Sequence, residues 1–159
     1  METTIAKAQS HLESASKRVL HLLSFVPDDK LTWAPSSTAR SFIQVVAHVA
    51  ATNRAFAHIL SRTMPESMPS PEEFFSNLRA TEEGIATRES AIPYLQETTT
   101  ELCKAIATVT AENIDSERPN PFGSMSARAW LDIAYNHIEG HTGQLEYLQT
   151  LWGDLDNHF

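Results

Sequence analysis

The chain has 159 residues, 42% of them hydrophobic, and its 20 acidic and 12 basic side chains give a formal net charge of −8. These values predict one globular domain, spanning residues 1–159, that is long enough to bury its own core. The acidic balance argues against nucleic acid and anionic membranes as partners, because both are themselves negatively charged.

The expected compartment follows from what the sequence lacks. The chain has a single cysteine, Cys103, so an internal disulfide is impossible. No apolar run approaches the roughly 20 residues needed to span a bilayer. The first residues do not show a basic start followed by an apolar block, the pattern of a secretory signal peptide. We therefore expect a cytoplasmic protein without a membrane partner.

Two long helices are predicted in the first part of the chain. The first runs from about Thr3 to Val26 and is followed by a connector at Leu31–Thr38 that has no helical period. Ser41 and Gln44 fit a capping box, which satisfies free backbone N–H groups at a helix start, and this second helix continues to about residue 62. The apolar positions of the first helix are spaced by three and four residues: Ile5, Ala8, Leu12, Ala15, Val19, Leu22 and Val26.

Residues 63–88 form the least regular part of the sequence. Three prolines interrupt any long helix there, although Pro71 favours the start of a short helix at about Glu72–Leu78. A third long helix is predicted from about Arg88 to Val109, with Pro93 in its first turns or at a kink. A polar loop follows at residues 113–123 and contains Pro119, Pro121 and Gly123.

The last helix has the clearest pattern, from Ser124 or Ser126 to Trp152, and Gly153 is well placed to end it. No strand-like alternation competes with helix anywhere in the sequence. Four long helices in series predict an all-α four-helix bundle, with residues 63–88 as a longer crossover. The inward stripe of the last helix is Ala127, Trp130, Ala134, His137, His141, Leu145, Leu148 and Trp152.

Two histidines stand in that apolar stripe. His137 and His141 are four residues apart and therefore lie on the same helix face. Burying two imidazoles costs free energy unless their nitrogens are satisfied, and two protonated rings would repel each other. His48 repeats the anomaly between Val46 and Val49 of the second helix. We predict that these three histidines bind one metal ion with at least one coordination position left open. Core histidines hydrogen-bonded to backbone or to one another are the alternative.

Other candidate residues fit less well. His11, His21, His58 and His158 are predicted on the surface or at its flanks. Glu139 follows His137 by two positions and so points roughly 200° away from it, which excludes the general-base role of the metalloprotease motif H-E-x-x-H. A di-iron site is also disfavoured, because no Glu stands three residues before His48, His137 or His141.

Four residues near the histidines have open interpretations. Gln144 and Thr52 share the histidine faces and would support a ligand imidazole, a water or a substrate, or would simply tolerate a wet end of the bundle. Gly140 and Gly143 lie inside the last helix, where they indicate either close approach by a helix or ligand or a mildly weak helix. Cys103 is interpreted as a small core residue, because nothing near it in the sequence would activate a thiol.

Three segments resemble the DinB/YfiT-like superfamily: Leu31–Pro35, Ser41–His48, and His137–Leu145 followed by Trp152-Gly153. The resemblance covers nearly the whole chain. It implies an up-down-down-up four-helix bundle with a short extra helix in the crossover, often a homodimer. It further implies a divalent metal ion, zinc or nickel, bound by His48, His137 and His141. Characterised members include thiol-dependent S-transferases and a mycothiol-dependent isomerase.

Two functions remain open at this point. The first is a metal-dependent transferase or hydrolase in which the ion activates a water or a low-molecular-weight thiol for attack on a small-molecule substrate. The second is a non-enzymatic, stress-related bundle with a structural or sensory metal. A fourth protein ligand would favour the second function, because structural sites are usually closed, and the sequence offers none that is convincing. The catalytic acid or base is not predicted.

Overall fold

The computed structural model describes residues 2–158, and their side chains from residue 4 onward. It contains four long helices, two shorter ones and one hairpin. In chain order these are α1 (Glu2–Phe25), α2 (Asp28–Leu31), α3 (Phe42–Ser61), α4 (Pro71–Glu83), α5 (Arg88–Ala107), β1 (Glu117–Asn120), β2 (Gly123–Ser126) and α6 (Ala127–Leu151). The four long helices agree with the predicted ones to within about two residues at each end.

The helix ends follow from local side-chain chemistry. The backbone N–H of Ser41 donates to Gln44 Oε1 at 2.8 Å, as the predicted capping box requires. Ser70 accepts from the backbone N–H of Glu73 at the start of α4. Ser126 accepts from the backbone N–H of Ala129 at the start of α6. Gly153 follows α6 with a φ of 92°, a left-handed conformation that glycine adopts without a Cβ penalty.

The contacts between helices establish the topology. Phe42 and Phe56 of α3 lie against Trp152 and Trp130, so α3 and α6 are antiparallel. The side chains of Gln9 and Ser16 on α1 bond to residues 103 and 99, so α1 and α5 are antiparallel. His11 and Arg18 contact residues 135 and 146, so α1 and α6 run in the same direction. The bundle is therefore up-down-down-up, as predicted, and α3 and α5 are parallel neighbours.

The parallel pair α3 and α5 requires a connection that returns along the bundle, and α4 lies in this crossover. The predicted short helix is present, but it extends beyond Leu78 to Glu83. It has no fully buried residue, so little apolar periodicity marks its true length. The added residues 79–83 include Arg, Ala and two Glu, all good helix formers.

The prediction that no strand occurs is wrong in the loop between α5 and α6. Strands β1 and β2 form an antiparallel hairpin in which Glu117 pairs with Ser126 and Asn120 with Gly123. Polar contacts hold this hairpin in place: Arg118 is 2% exposed and its Nε donates to the carbonyl of Leu60 at the end of α3, at 3.1 Å. A four-residue strand with a buried arginine gives no alternating apolar pattern. The helical turn α2 was also missed; it lies at Asp28–Leu31, between the predicted first helix and the predicted connector.

The core fills the space between the long helices, and α3 is its centre. Fourteen of the 20 residues of α3 are buried. Phe42, Val45, Val46, Val49 and Ala50 are at most 1% exposed. Within residues 2–158, no helix is both long and apolar enough to cross a lipid bilayer.

Candidate metal centre

The three predicted histidines meet between α3 and α6. His48 lies on the second turn of α3, and the antiparallel packing of α6 places His137 and His141 opposite it. One ring nitrogen from each histidine lies within 4.8 Å of the other two. The Nε2 atoms of His48 and His137 are 3.2 Å apart. Residues separated by 89 positions in the sequence therefore form one cluster.

The second nitrogen of two rings is already engaged. His48 Nδ1 lies 2.7 Å from Glu82 Oε1, and His141 Nδ1 lies 2.9 Å from Gln144 Oε1. Carboxylate and amide oxygens accept hydrogen bonds, so each Nδ1 carries the proton and each Nε2 is unprotonated, with a lone pair that can accept a hydrogen bond or bind a metal ion. The Nε2 lone pair of His48 lies within hydrogen-bond distance of His137 Nε2. His137 differs, because its buried Nδ1 has no hydrogen-bond partner within residues 2–158. Hydrogen bonds at Nδ1 thus hold two of the three rings, those of His48 and His141, in place.

Burial keeps the rings neutral. It lowers the pKa of His48 and of His137 to about 3 in each case, assisted by the neighbouring imidazoles and by the Arg40 guanidinium. Burial also lowers the pKa of His141, although the hydrogen bond that its Nδ1 donates to Gln144 acts in the opposite direction. At neutral pH all three imidazoles are therefore uncharged, which is the state that binds metal ions.

Glu82 was missed in the sequence, and it is the one acidic side chain that touches the cluster within residues 2–158. It comes from α4, and its second oxygen, Oε2, lies 3.2 Å from Arg40 Nη1. Burial raises the pKa of Glu82, while Arg40 and Arg79 oppose that shift. A signal was available: Phe74, Leu78 and Glu82 recur every four residues and form the half-buried face of α4. Ending the helix at Leu78 removed Glu82 from that face.

The remaining predicted neighbours divide into those that reach the cluster and those that do not. Gln144 reaches it through His141. Thr52 is buried, but its hydroxyl has no hydrogen-bond partner in the part of the chain that the structure describes. Phe56 packs edge-on against His137, with ring centroids 5.4 Å apart, and forms an apolar wall. Glu139 is not part of the cluster, in agreement with its predicted direction.

The residues predicted outside the site behave mostly as expected. His11, His21 and His58 are exposed. His158 is half-buried instead, stacked on Phe25 at 4.1 Å and bonded to Asp154. A Cβ added at Gly140 or Gly143 would meet nothing within 4 Å, so no other helix within residues 2–158 approaches these glycines closely.

The surroundings of Cys103 do not activate its thiol. Its side chain is half-buried and lies outside the histidine cluster. Burial, together with the nearby Glu13 carboxylate, raises the pKa of the thiol to about 11. A thiol with so high a pKa is unreactive at neutral pH, because the thiolate is the nucleophilic form.

The cluster has the donor chemistry of a divalent metal site. In a tetrahedral zinc site with Zn–N distances of about 2.05 Å, the ligand nitrogens are about 3.3 Å apart. The 3.2 Å between His48 and His137 Nε2 fits that spacing. No carboxylate or thiol within residues 2–158 joins the three histidines as a fourth ligand. The arrangement therefore fits a three-nitrogen site with an open position.

Comparison with known proteins agrees with this architecture. The family model of the DinB superfamily matches residues 11–145. A search of curated protein sequences returns no significant match. YjoA, a DinB-like protein from Bacillus subtilis, is 18% identical, with 96% of each chain aligned and a TM-score of 0.69. YfiT from Bacillus subtilis, described as a probable metal-dependent hydrolase with an unusual four-helix bundle topology, is 18% identical over 96% of this chain and 90% of its own, with a TM-score of 0.72.

A more distant similarity concerns an enzyme. The mycothiol-dependent maleylpyruvate isomerase is 13% identical over 89% of this chain, with a TM-score of 0.69. The aligned region is only 60% of the isomerase, so the two proteins share a domain. At these identities the likeness establishes the fold. The family model covers most of the chain and the solved structures share its helical topology, and the protein therefore belongs to the DinB superfamily.

Proposed function

We propose that the protein is a metal-dependent enzyme whose divalent ion, zinc or nickel, is bound by Nε2 of His48, His137 and His141. One observation carries the proposal: three neutral imidazoles converge, and the hydrogen bonds that Nδ1 of His48 and of His141 donates leave their Nε2 atoms unprotonated. Three nitrogen ligands without a fourth protein ligand are typical of catalytic sites and not of structural ones.

The chain's own residues prepare the site. Burial holds the three rings neutral, so protons do not compete for the ligand nitrogens near pH 7. Phe56 packs against the His137 ring and gives the site an apolar side. Three uncharged ligands would leave the full charge of a bound ion in place, and such an ion lowers the pKa of a water or thiol in its open position.

The reaction class is proposed as transfer or hydrolysis on a small-molecule substrate. The description of YfiT as a probable metal-dependent hydrolase supports activation of water. The isomerase that depends on mycothiol supports activation of a low-molecular-weight thiol. The net charge of −8 gives no general attraction for anionic thiols, so their binding would depend on local contacts. Zinc is the common ion for three histidines, and nickel binds comparable nitrogen sites.

Elemental analysis tests the metal site directly. Protein purified without a histidine tag is expected to contain about one equivalent of zinc or nickel per chain. His137→Ala is expected to lose most of this metal, because it removes one of three ligands. His58→Ala is the matched control, since His58 is exposed and lies outside the cluster. Equal metal content in the wild type and His137→Ala would overturn the three-histidine site.

A second experiment separates the enzyme from a structural or sensory metal protein. The metal-loaded protein is incubated with activated esters and, separately, with a haloarene electrophile and a panel of low-molecular-weight thiols. Turnover that disappears in His137→Ala supports catalysis. No turnover, together with a large loss of thermal stability on chelation, would favour an ion that only pins α3 to α6. The homodimer implied by the family resemblance stays a prediction, to be measured by sedimentation equilibrium.

A further inference from the structure

Helix α4 lies against α3 with little buried surface of its own. None of its residues is fully buried, and Phe75 is 46% exposed. Near its end, however, Glu82 reaches into the bundle, where its side chain is only 12% exposed. Its two oxygens contact different partners, His48 Nδ1 at 2.7 Å and Arg40 Nη1 at 3.2 Å. A weakly packed helix is thus tied to the bundle through a ring of the histidine cluster.

We propose that Glu82 is a positioning residue that holds His48 with Nε2 toward the cluster and thereby couples the docking of α4 to metal binding. This inference rests on the proposed metal site. It adds Glu82, a residue from a third helix, to the site, although Glu82 would not contact the metal ion itself. It also gives the crossover helix a role in the site.

The three rings differ in how they are held. The Nδ1 atom of His141 bonds to a neutral amide three residues along the same helix, and Nδ1 of His137 has no partner within residues 2–158. His48 alone among them bonds to a carboxylate, and that carboxylate comes from an element 34 residues away. A carboxylate behind a ligand histidine fixes the tautomer and makes the metal-binding nitrogen more basic. Arg40 forms an ion pair with the other carboxylate oxygen, at 3.2 Å.

The coupling must act in both directions. If docked α4 increases the affinity of His48 for a metal ion, then the ion must stabilise docked α4 by the same factor. Because α4 has no buried residue of its own, a change in this one contact has a large relative effect on its docking. Metal binding is therefore expected to reduce the local opening of residues 71–83.

Zinc titration measures the first half of the proposal. The full-length protein, freed of metal, is titrated with zinc against a chromophoric chelator. Glu82→Ala is expected to bind zinc about 10–100-fold more weakly than the wild type, the usual effect of removing such a partner. Glu82→Gln retains an acceptor for the Nδ1 proton and is expected to lose less. Glu83→Gln is the matched control, because it removes the same charge from the exposed neighbouring position.

Ring nitrogen-15 NMR supplies a readout that needs no metal and no activity. In the metal-free wild type, His48 is expected as the tautomer with the proton on Nδ1. In Glu82→Ala, provided circular dichroism shows the same helix content, the population with the proton on Nε2 is expected to rise. A role confined to general stability would leave the tautomer unchanged, and that result would overturn the proposal.

Hydrogen exchange tests the coupling to α4. Zinc is expected to slow amide exchange in residues 71–83 of the wild type and of Glu83→Gln, but not of Glu82→Ala. Three results are distinguishable. If the wild type binds no metal, the proposed function fails and this inference with it. If His137→Ala loses zinc but Glu82→Ala binds as tightly as Glu83→Gln, the positioning role alone fails. If zinc protects α4 equally in all variants, the coupling alone fails.

Discussion

Helices α3 and α4 both reach the candidate metal centre, yet they are built in opposite ways. Most of α3 is buried, and it carries the predicted ligand His48 directly. No residue of α4 is fully buried, and the helix contributes Glu82, which accepts a hydrogen bond from Nδ1 of His48. The difference shows how the fold divides the work. In the proposed site, the metal ligand His48 lies on a tightly packed helix. The positioning residue Glu82 lies on a helix with few buried contacts, which is the kind of segment that opens locally.

The largest test of this contrast is a pair of phenylalanine truncations. Phe42→Ala removes a ring that is 0% exposed at the start of α3, and we expect it to destabilise the fold by about 3–5 kcal/mol. Phe75→Ala on α4 removes a ring that is 46% exposed, and its effect is expected to stay below about 1 kcal/mol. Urea denaturation of both variants measures the difference. Similar losses of unfolding free energy in the two variants would contradict the contrast between a packed α3 and a weakly packed α4.

Metal binding is expected to raise the stability of the folded protein through the ligand on α3. A ligand present at about 100 times its dissociation constant stabilises the state that binds it by about 2.7 kcal/mol. Zinc is therefore expected to raise the thermal midpoint of the wild type and of His58→Ala. His48→Ala is expected to gain little, because it lacks the ligand on α3. Differential scanning calorimetry with zinc and with a chelator measures these midpoints. An unchanged midpoint in the wild type would contradict the prediction.

Acidification is expected to lower the free energy of unfolding of the metal-free protein. Burial lowers the pKa of His137 to about 3 in the folded chain, whereas a histidine in the unfolded chain titrates near 6.5. The unfolded state therefore gains a proton first, and stability that is complete above pH 6.5 is lost as the pH falls toward 3. Between pH 7 and pH 5 this ring accounts for at most about 2 kcal/mol.

The variant His137→Ala isolates that contribution. Its metal-free stability is expected to fall less between pH 7 and pH 5 than that of the wild type, while His58→Ala keeps the wild-type dependence. Urea denaturation at each pH in the presence of a chelator measures both slopes. A wild-type slope in His137→Ala would show that this ring is not held neutral by burial.

The smallest expected effect concerns Gly143, on the solvent-exposed face of α6. A Cβ at Gly143 would meet nothing within 4 Å, so Gly143→Ala is expected to stabilise the protein by up to about 1 kcal/mol through helix propensity alone. Chemical denaturation would detect the gain. A loss of stability would instead indicate that another surface covers this face in solution.

The parts predicted from the sequence are those that local rules determine. The periodicity of α6 and the capping box at Ser41 depend only on neighbouring residues, so the helices were predicted with nearly correct ends. The histidines could be grouped because an imidazole in an apolar stripe is unusual wherever it occurs. Their meeting then follows from packing the inward faces of two helices.

The missed parts depend on contacts between distant segments. Glu82 lies on a helix whose length is not marked by buried residues, so its approach to His48 is evident only in three dimensions. The buried Arg118 is similar, since it is satisfied by the Leu60 carbonyl at the end of another element. Gly140 and Gly143 are the opposite case, because a glycine inside a helix suggests a close neighbour, yet no other helix within residues 2–158 approaches either of them.

The parallel pairing of α1 with α6 has a consequence for how fast the molecule folds. Arg18 and Glu146 form an ion pair across 128 residues of sequence. In an up-and-down bundle each long helix packs against the next one in the chain. Here α1 packs chiefly against α5 and α6, the last two long helices, so it gains its main contacts only across long stretches of sequence. Folding rates fall as the mean sequence separation of contacts rises. This bundle is therefore expected to fold more slowly than a simple up-and-down bundle of the same length and stability.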